Sequence, residues 1–313
     1  MNDFITVILP AGRSAMELSL FVLLPVMVVM LTIMRLLEAT GVLDWLVARI
    51  APLLRPFGLT GLGVFAALQV NFVNFAAPIA TLAMMEQRGS SDRHLAAVFA
   101  MVLAMSQANT VFPMAAMGLR VGPVLAFSLM GGLAAAAATY YLFGRRLSAK
   151  EMVLDETLRH PVADTPKGVL DVINRAGAEA FKIAVGAIPM LVLALVAVTA
   201  LRQAGAMDAL TRWLAPALTM AGIDAALVLP TMTKYLAGGT AMLGVVDEQL
   251  RQGRLSAELL NLSAGFLIHP MDLPGVAVLM AAGRRVAATW RPAVLGACVG
   301  IAVRGVGHVL IAL

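Results

Sequence analysis

The chain contains one pattern twice, and both copies carry polar residues into stretches otherwise apolar enough for lipid. At an offset of 164 residues (189 − 25), Pro25 falls on Pro189, Leu31 on Leu195, Gly41 on Gly205, Asp44 on Asp208, Pro52 on Pro216 and Gly58 on Gly222 without a gap. Further along, Gln69–Pro78 aligns with Thr233–Met242, and after a one-residue slip Ser106–Thr110 aligns with His269–Leu273. Each half therefore interrupts two apolar segments at matching places. Paired breaks of this kind mark duplicated membrane proteins that build a solute site near the bilayer midplane from discontinuous helices.

Composition leaves few other settings for the repeat. Hydrophobic residues make up 60% of the 313 residues and charged residues 13%, with a mean hydropathy of +0.89, whereas soluble domains carry about 25% charged residues. The long segments are apolar on every side, which requires lipid or a protein core within lipid. The net charge of +5 does not form a basic stripe interleaved with aromatics. Lys and Arg instead collect in loops beside apolar segments, where they act as orientation signals, so no nucleic-acid partner is expected. Cys298, the only cysteine, has no disulfide partner and reads as a packing residue. The histidines His94, His160, His269 and His308 are too scattered for a metal cluster. Walker, dinucleotide, His-Glu-x-x-His and Gly-x-Ser-x-Gly motifs are all missing, so neither an enzyme nor a cofactor is expected. Met1-Asn2-Asp3 is not a basic leader, and the first helix is expected to remain as an uncleaved anchor.

Three regions follow: a first repeat at 1–143, a polar linker at 144–175 and a second repeat at 176–313. Residues 3–14 read as a short interfacial lead-in and 15–38 as a long apolar helix kinked at Pro25. The stretch 42–56 is a short helix, either interfacial or one arm of a re-entrant hairpin. Segments 58–87 and 94–119 carry the two breaks, and 121–143 is a Gly- and Ala-rich helix suited to close helix contact. The second half repeats this order, with 206–221 as its short helix. Arg145, Arg146 and Lys150 follow a span directly and place the linker on the cytoplasmic side. The similar loop charges of the two halves, Arg88 and Arg93 against Arg251 and Arg254, do not by themselves decide between parallel and inverted repeats; the reading leans to inverted.

The breaks supply the candidate binding residues. In the first half these are Gln69, Asn71 and Asn74, then Ser106, Gln107, Asn109 and Thr110. Amide and hydroxyl side chains beside backbone freed by Pro78 suit a polar solute or a dehydrated cation; the same residues could equally hold helices together. In the second half they are Thr233, Lys234, Tyr235 and Thr240, then His269 and Asp272. A lysine or aspartate at membrane depth costs several kcal/mol unless paired or hydrated. Lys234 and Asp272 are therefore expected to face each other or a shared polar cavity, with His269 as a proton relay. Two alternatives stay open: Lys234 reaching to the interface, or a purely structural ion pair.

Asn71-Phe-Val-Asn-Phe-Ala-Ala-Pro78, Ala83-Met-Met85, Ser106-Gln-Ala-Asn-Thr110 and Gly118-Leu-Arg120 resemble the nucleoside-recognition, or gate, domain of the spore-maturation A type. Leu236-Ala-Gly-Gly-Thr-Ala-Met-Leu-Gly244 is similar to the B type, so the chain resembles a fusion of the two. The resemblance implies a fold related to the core of concentrative nucleoside transporters. The acidic hairpin that binds ribose there, and the GTPase domain and cysteine motif of ferrous-iron permeases, are not evident. The combined expectation is an all-α, multi-pass protein of a bacterial inner membrane, an internal duplication of two gate-type repeats with broken or re-entrant helices. Its expected partners are the bilayer and a small polar solute or ion, with homo-oligomerisation left open. Its expected function is transport of that solute, with protons as one coupling ion; the alternative is a non-transporting scaffold or assembly factor.

Overall fold

The computed structural model describes residues 2–150, 168–206, 209, 212, 213 and 223–312, and these residues contain helices and no strand. Helix α1 (Asn2–Glu17) passes through a π-helical turn at Leu18–Leu23 into α2 (Leu24–Ala39). The result is one apolar rod, Val7–Ala39, long enough to cross a bilayer. The interfacial lead-in expected at 3–14 is thus part of the helix. Val7, Ala11, Ala15 and Leu18 are buried at helical spacing, and the last three pack with Leu191 and Leu195 of the second half, which draws the segment into the rod. Pro25 is accommodated by the π turn ahead of it, where the Leu24 amide donates to the Ser19 carbonyl, so the missing proline amide falls in an already shifted bonding register.

Gly41, just beyond α2, takes a left-handed φ of 72°, which only glycine adopts at little cost. Its repeat partner Gly205 does the same beyond α9, at 67°. Next come α3 (Val42–Leu54), α4 (Gly61–Phe72), α5 (Pro78–Gln87), α6 (Asp92–Ala104), α7 (Ala108–Ala115) and α8 (Val121–Ala138). The stretches Trp45–Phe57 and Gly61–Phe72 meet at 104°. The breaks between α4 and α5 and between α6 and α7 fall at the polar stretches the sequence marked. In the second half, α9 (Val169–Gln203) is followed by α10 (Val228–Ala237), α11 (Gly239–Arg251), α12 (Ala257–Leu267), α13 (Leu273–Met280), α14 (Arg284–Ala288) and α15 (Trp290–Ala312). Helix α9 begins inside the stretch expected to be linker. Linker residues 151–167, and most of the short helix expected at 206–221 with Asp208, lie outside the described residues.

Helices that correspond under the offset run in opposite directions. Ala11, Ala15 and Leu18 pack with Leu191 and Leu195, whereas Leu23, Met27 and Leu31 pack with Ala176, Ala180 and Ala184. The α1–α2 rod and α9 are therefore antiparallel. The same holds for α8 and α15: a Cβ on Gly131 would lie 2.3 Å from Arg304 and 2.6 Å from the Gly300 carbonyl, and one on Gly296 would lie 2.8 Å from the Ala135 carbonyl. This is the relation that an inverted repeat requires. Against both α8 and α15 packs α6, whose residues Leu95–Ala104 are all buried, as befits a helix apolar all round.

Candidate functional site

The four broken segments meet in a cavity of about 350 Å³ between the halves. Its polar wall consists of Asn74, Gln107, Asn109, Gly238, Gly239, Thr240 and Asp272, and its apolar wall includes Leu23, Phe75, Ile183 and Val278. The long helices α2 and α9 thus close one side. At each break the chain leaves one half-helix and starts another, so the N-terminal ends of α5, α7, α11 and α13 all lie at the cavity.

Side chains hold backbone amides at two of those ends. Asn74 Oδ1 accepts from the Ala76 and Ala77 amides at 2.8 Å in the turn that leads into α5, and Asp272 Oδ1 caps α13 by accepting from the Gly275 amide at 2.7 Å. A cap of the second kind contributes about 1 kcal/mol. Neither α7 nor α11 has a side-chain cap. These two ends face one another: a Cβ on Gly239 would fall 1.8 Å from Gln107 Nε2 and 3.1 Å from Thr110 Oγ1. Asn109 Nδ2 reaches Thr240 Oγ1 at 3.3 Å. Gln107 Nε2, Asn109 Oδ1 and Thr110 Oγ1 are buried without a protein partner.

Lys234 and Asp272 form a buried ion pair, Nζ to Oδ2, with Lys234 fully buried and Asp272 on the cavity wall. The juxtaposition expected from sequence is present, and the reach of Lys234 to the interface is not. Tyr235, half-buried, stacks near Phe266 and His269 with ring centroids at 5.9 and 6.0 Å.

Other candidates lie away from the cavity. Gln69 Oε1 accepts from the Thr81 hydroxyl at 2.7 Å. Asn71 donates to the Ala67 carbonyl at 2.9 Å and accepts from Ser128 Oγ at 2.7 Å. Thr233 bonds to the Leu229 carbonyl at 2.9 Å. The Ser106 amide donates to Ser128 Oγ at 2.7 Å. Gln69, Asn71 and Ser106 thus tie helices together, the structural alternative that the sequence left open, whereas Thr233 bonds back within its own helix. His269 has one ring nitrogen at the Phe266 carbonyl, 2.8 Å away, and the other at the Met271 amide, 3.2 Å away. Its ring closes the α12–α13 break.

Arg304 escaped the sequence reading as a site residue. It is fully buried in α15, and donates to the Ala104 carbonyl, to Ser106 Oγ at 3.0 Å and to the Ile268 carbonyl at 2.7 Å. It thereby caps the C-terminal ends of α6 and α12 together, placing a cation where two helix dipoles are negative. The signal available was an arginine within an otherwise apolar span. Beside it, the ring of His308 lies 5.0 Å from that of Phe127.

The nucleoside-recognition (Gate) family matches residues 20–124, the part of the first repeat that holds both of its breaks. An uncharacterized membrane protein of Bacillus subtilis (strain 168), YvoD, is 26% identical over 237 residues, covering 74% of this chain and 73% of that protein. The structure of CNTnw in an inward-facing substrate-bound state is similar with a TM-score of 0.70 and 20% identity, over 94% of this chain and 74% of that one. A doubly substituted CNTnw in an outward-facing state gives 0.69 and 19%, over 94% and 75%. At such identities the likeness shows the fold, and it extends through both halves. The chain is thus a membrane protein whose residues 20–124 match the nucleoside-recognition Gate model and whose fold is similar to that of CNTnw.

Proposed function

We propose that the chain is a multi-pass transporter of a bacterial inner membrane that moves a small polar solute through the cavity between its repeats. The observation that carries this reading is the enclosure of unpartnered polar atoms on Gln107 and Asn109, which line a cavity of about 350 Å³, and on Thr110 behind them. A scaffold gains nothing from such atoms, because each buried polar group without a partner costs about 1–3 kcal/mol, whereas a bound solute satisfies them. The volume lies within the usual range of small-molecule pockets. The Gate description and the substrate-bound CNTnw structure favour nucleoside-like solutes as a starting class. Coupled proton movement would use the Lys234–Asp272 pair, since both ring nitrogens of His269 are engaged by backbone.

The test is uptake into proteoliposomes of a radiolabelled panel of nucleosides, amino acids and small organic acids. At least one should accumulate above empty vesicles. Gly239→Val, which drives a side chain onto Gln107, should reduce that flux at least about tenfold while the protein stays monodisperse. Flux of no panel member, or equal flux in Gly239→Val, overturns the proposal.

A further inference from the structure

The polar atoms at the cavity are not chemically balanced. The unpaired groups nearest one another are mostly donors: the amides of Ala108 and Asn109 at the start of α7 and the first-turn amides of α11, which no side chain caps, Gln107 Nε2, and the Thr110 hydroxyl. Gln107 and Thr110 are at least nine-tenths buried, with exposures of 2% and 0%, so the missing acceptors have to come from whatever occupies the cavity. The unpaired acceptors in this group are Asn109 Oδ1 and the lone pairs of the Thr110 hydroxyl, which can also donate.

Formal charge points the same way. Among the described residues around the breaks, the buried side chains carrying full charge are Lys234, Arg304 and Asp272, two cations against one carboxylate. Both oxygens of Asp272 are already engaged, by Lys234 Nζ and the Gly275 amide. Arg304 is met by two carbonyls and a hydroxyl and by no carboxylate. One positive charge therefore remains near a cavity onto which two uncapped helix N-termini open, each equivalent to about half a positive charge. Uncapped amides at helix N-termini bind carboxylates and phosphates. Glycine at 239 lets the opposing wall, Gln107, come against the backbone at the start of α11.

We infer that the solute bears an oxyanion, a carboxylate or a phosphate, seated between the N-termini of α7 and α11 with Gln107 Nε2 as a side-chain donor, and a neighbouring hydroxyl or amine that donates to Asn109 Oδ1. The inference rests on the transport reading and narrows its solute to small organic anions, distinct from uncharged nucleosides.

The experiment is thermal unfolding of the purified full chain in detergent with matched probes at constant ionic strength: lactate, serine and glycerol 3-phosphate as hydroxyl- or amine-bearing anions, inorganic phosphate, and lactamide and uridine as neutral counterparts. A carboxylate or the phosphate ester should raise the unfolding temperature in a saturable way, the first pointing to carboxylic acids and the second to phosphate esters, with lactamide inert. Gln107→Glu, which replaces the donor by a like charge, should weaken that binding at least about tenfold without lowering the unfolding temperature of the unliganded protein by more than a few degrees. Gln107→Met, which removes the donor without adding charge, should weaken it less. Equal stabilisation by lactamide or uridine, or undiminished anion binding in both Gln107 variants, overturns the oxyanion while leaving transport intact; stabilisation by none of the probes overturns it as well. Transport itself is judged separately, by vesicle flux and its loss in Gly239→Val.

Discussion

At the scale of single residues, the ion pair of Lys234 and Asp272 was legible because a charge at membrane depth demands a partner, and only one cation and one carboxylate stood in the breaks of the second half. Its energetics follow from burial. Lys234→Met leaves Asp272 charged and unpaired, which should destabilise the protein by about 3–5 kcal/mol. Adding Asp272→Asn removes the charge and keeps the oxygen that caps α13, and should restore most of that loss; urea or thermal unfolding of the three proteins in detergent measures it. A double variant no better than the single one would show that Lys234 acts through something other than this pair. Arg304 was less legible. Its partners are two backbone carbonyls and a hydroxyl, and no side-chain pattern reveals that the ends of α6 and α12 converge on one point. The sequence showed an arginine with a histidine one turn on; folding supplied the acceptors.

At the scale of elements, the positions of the breaks were readable from Asn, Gly and Pro within apolar runs, but their division of labour was not. Asn71 and Asn74 share a spacing that suggests one helix face, yet the break falls between them: Asn71 stays on α4 and bonds to Ser128, while Asn74 holds the turn that leads into α5. Helix contacts give a sharper test. Gly300 sits against the Gly131 carbonyl, where an added Cβ would lie at 2.3 Å, whereas a Cβ on Gly305 meets nothing within 4 Å. Gly300→Ala should therefore cost about 1–3 kcal/mol by forcing α8 and α15 apart. Gly305→Ala, a turn further along the same helix, should be neutral or stabilising by about 0.5–1 kcal/mol. Unfolding temperatures of the two variants separate packing from helix propensity.

At the scale of the whole molecule, the two halves are clasped at opposite faces. On one, Glu86 accepts from the amides of Arg285 and Val286 at 3.1 Å, and Arg285 reaches Asp92. On the other, Asn261 bonds to the Arg120 amide at 2.7 Å and the Gly118 carbonyl at 2.9 Å. Arg93 donates to the carbonyls of Arg145 and Leu147, so the basic residues Arg88, Arg93, Arg145, Arg146, Arg284 and Arg285 gather at the first face. The loops alone could not settle orientation, because inversion puts Arg88 and Arg93 on the first face and Arg251 and Arg254 on the second; Arg145, Arg146, Arg284 and Arg285 tip the balance to the first. The positive-inside tendency assigns that face to the cytoplasm. In a Cys298→Ser background, Gln87→Cys should react with an impermeant maleimide only after cells are permeabilised, and Gln252→Cys in intact cells. Labelling of both from one side would refute the inverted arrangement.

The guanidinium that joins the two breaks also couples the halves mechanically. Arg304 on α15 holds the carbonyl ends of α6 and α12 at once. Sliding either end past the other breaks a charge-assisted hydrogen bond in a buried setting, which costs about 1.5–3 kcal/mol. The three helices are therefore tied into one body at this point, and any relative motion of the halves has to take place elsewhere.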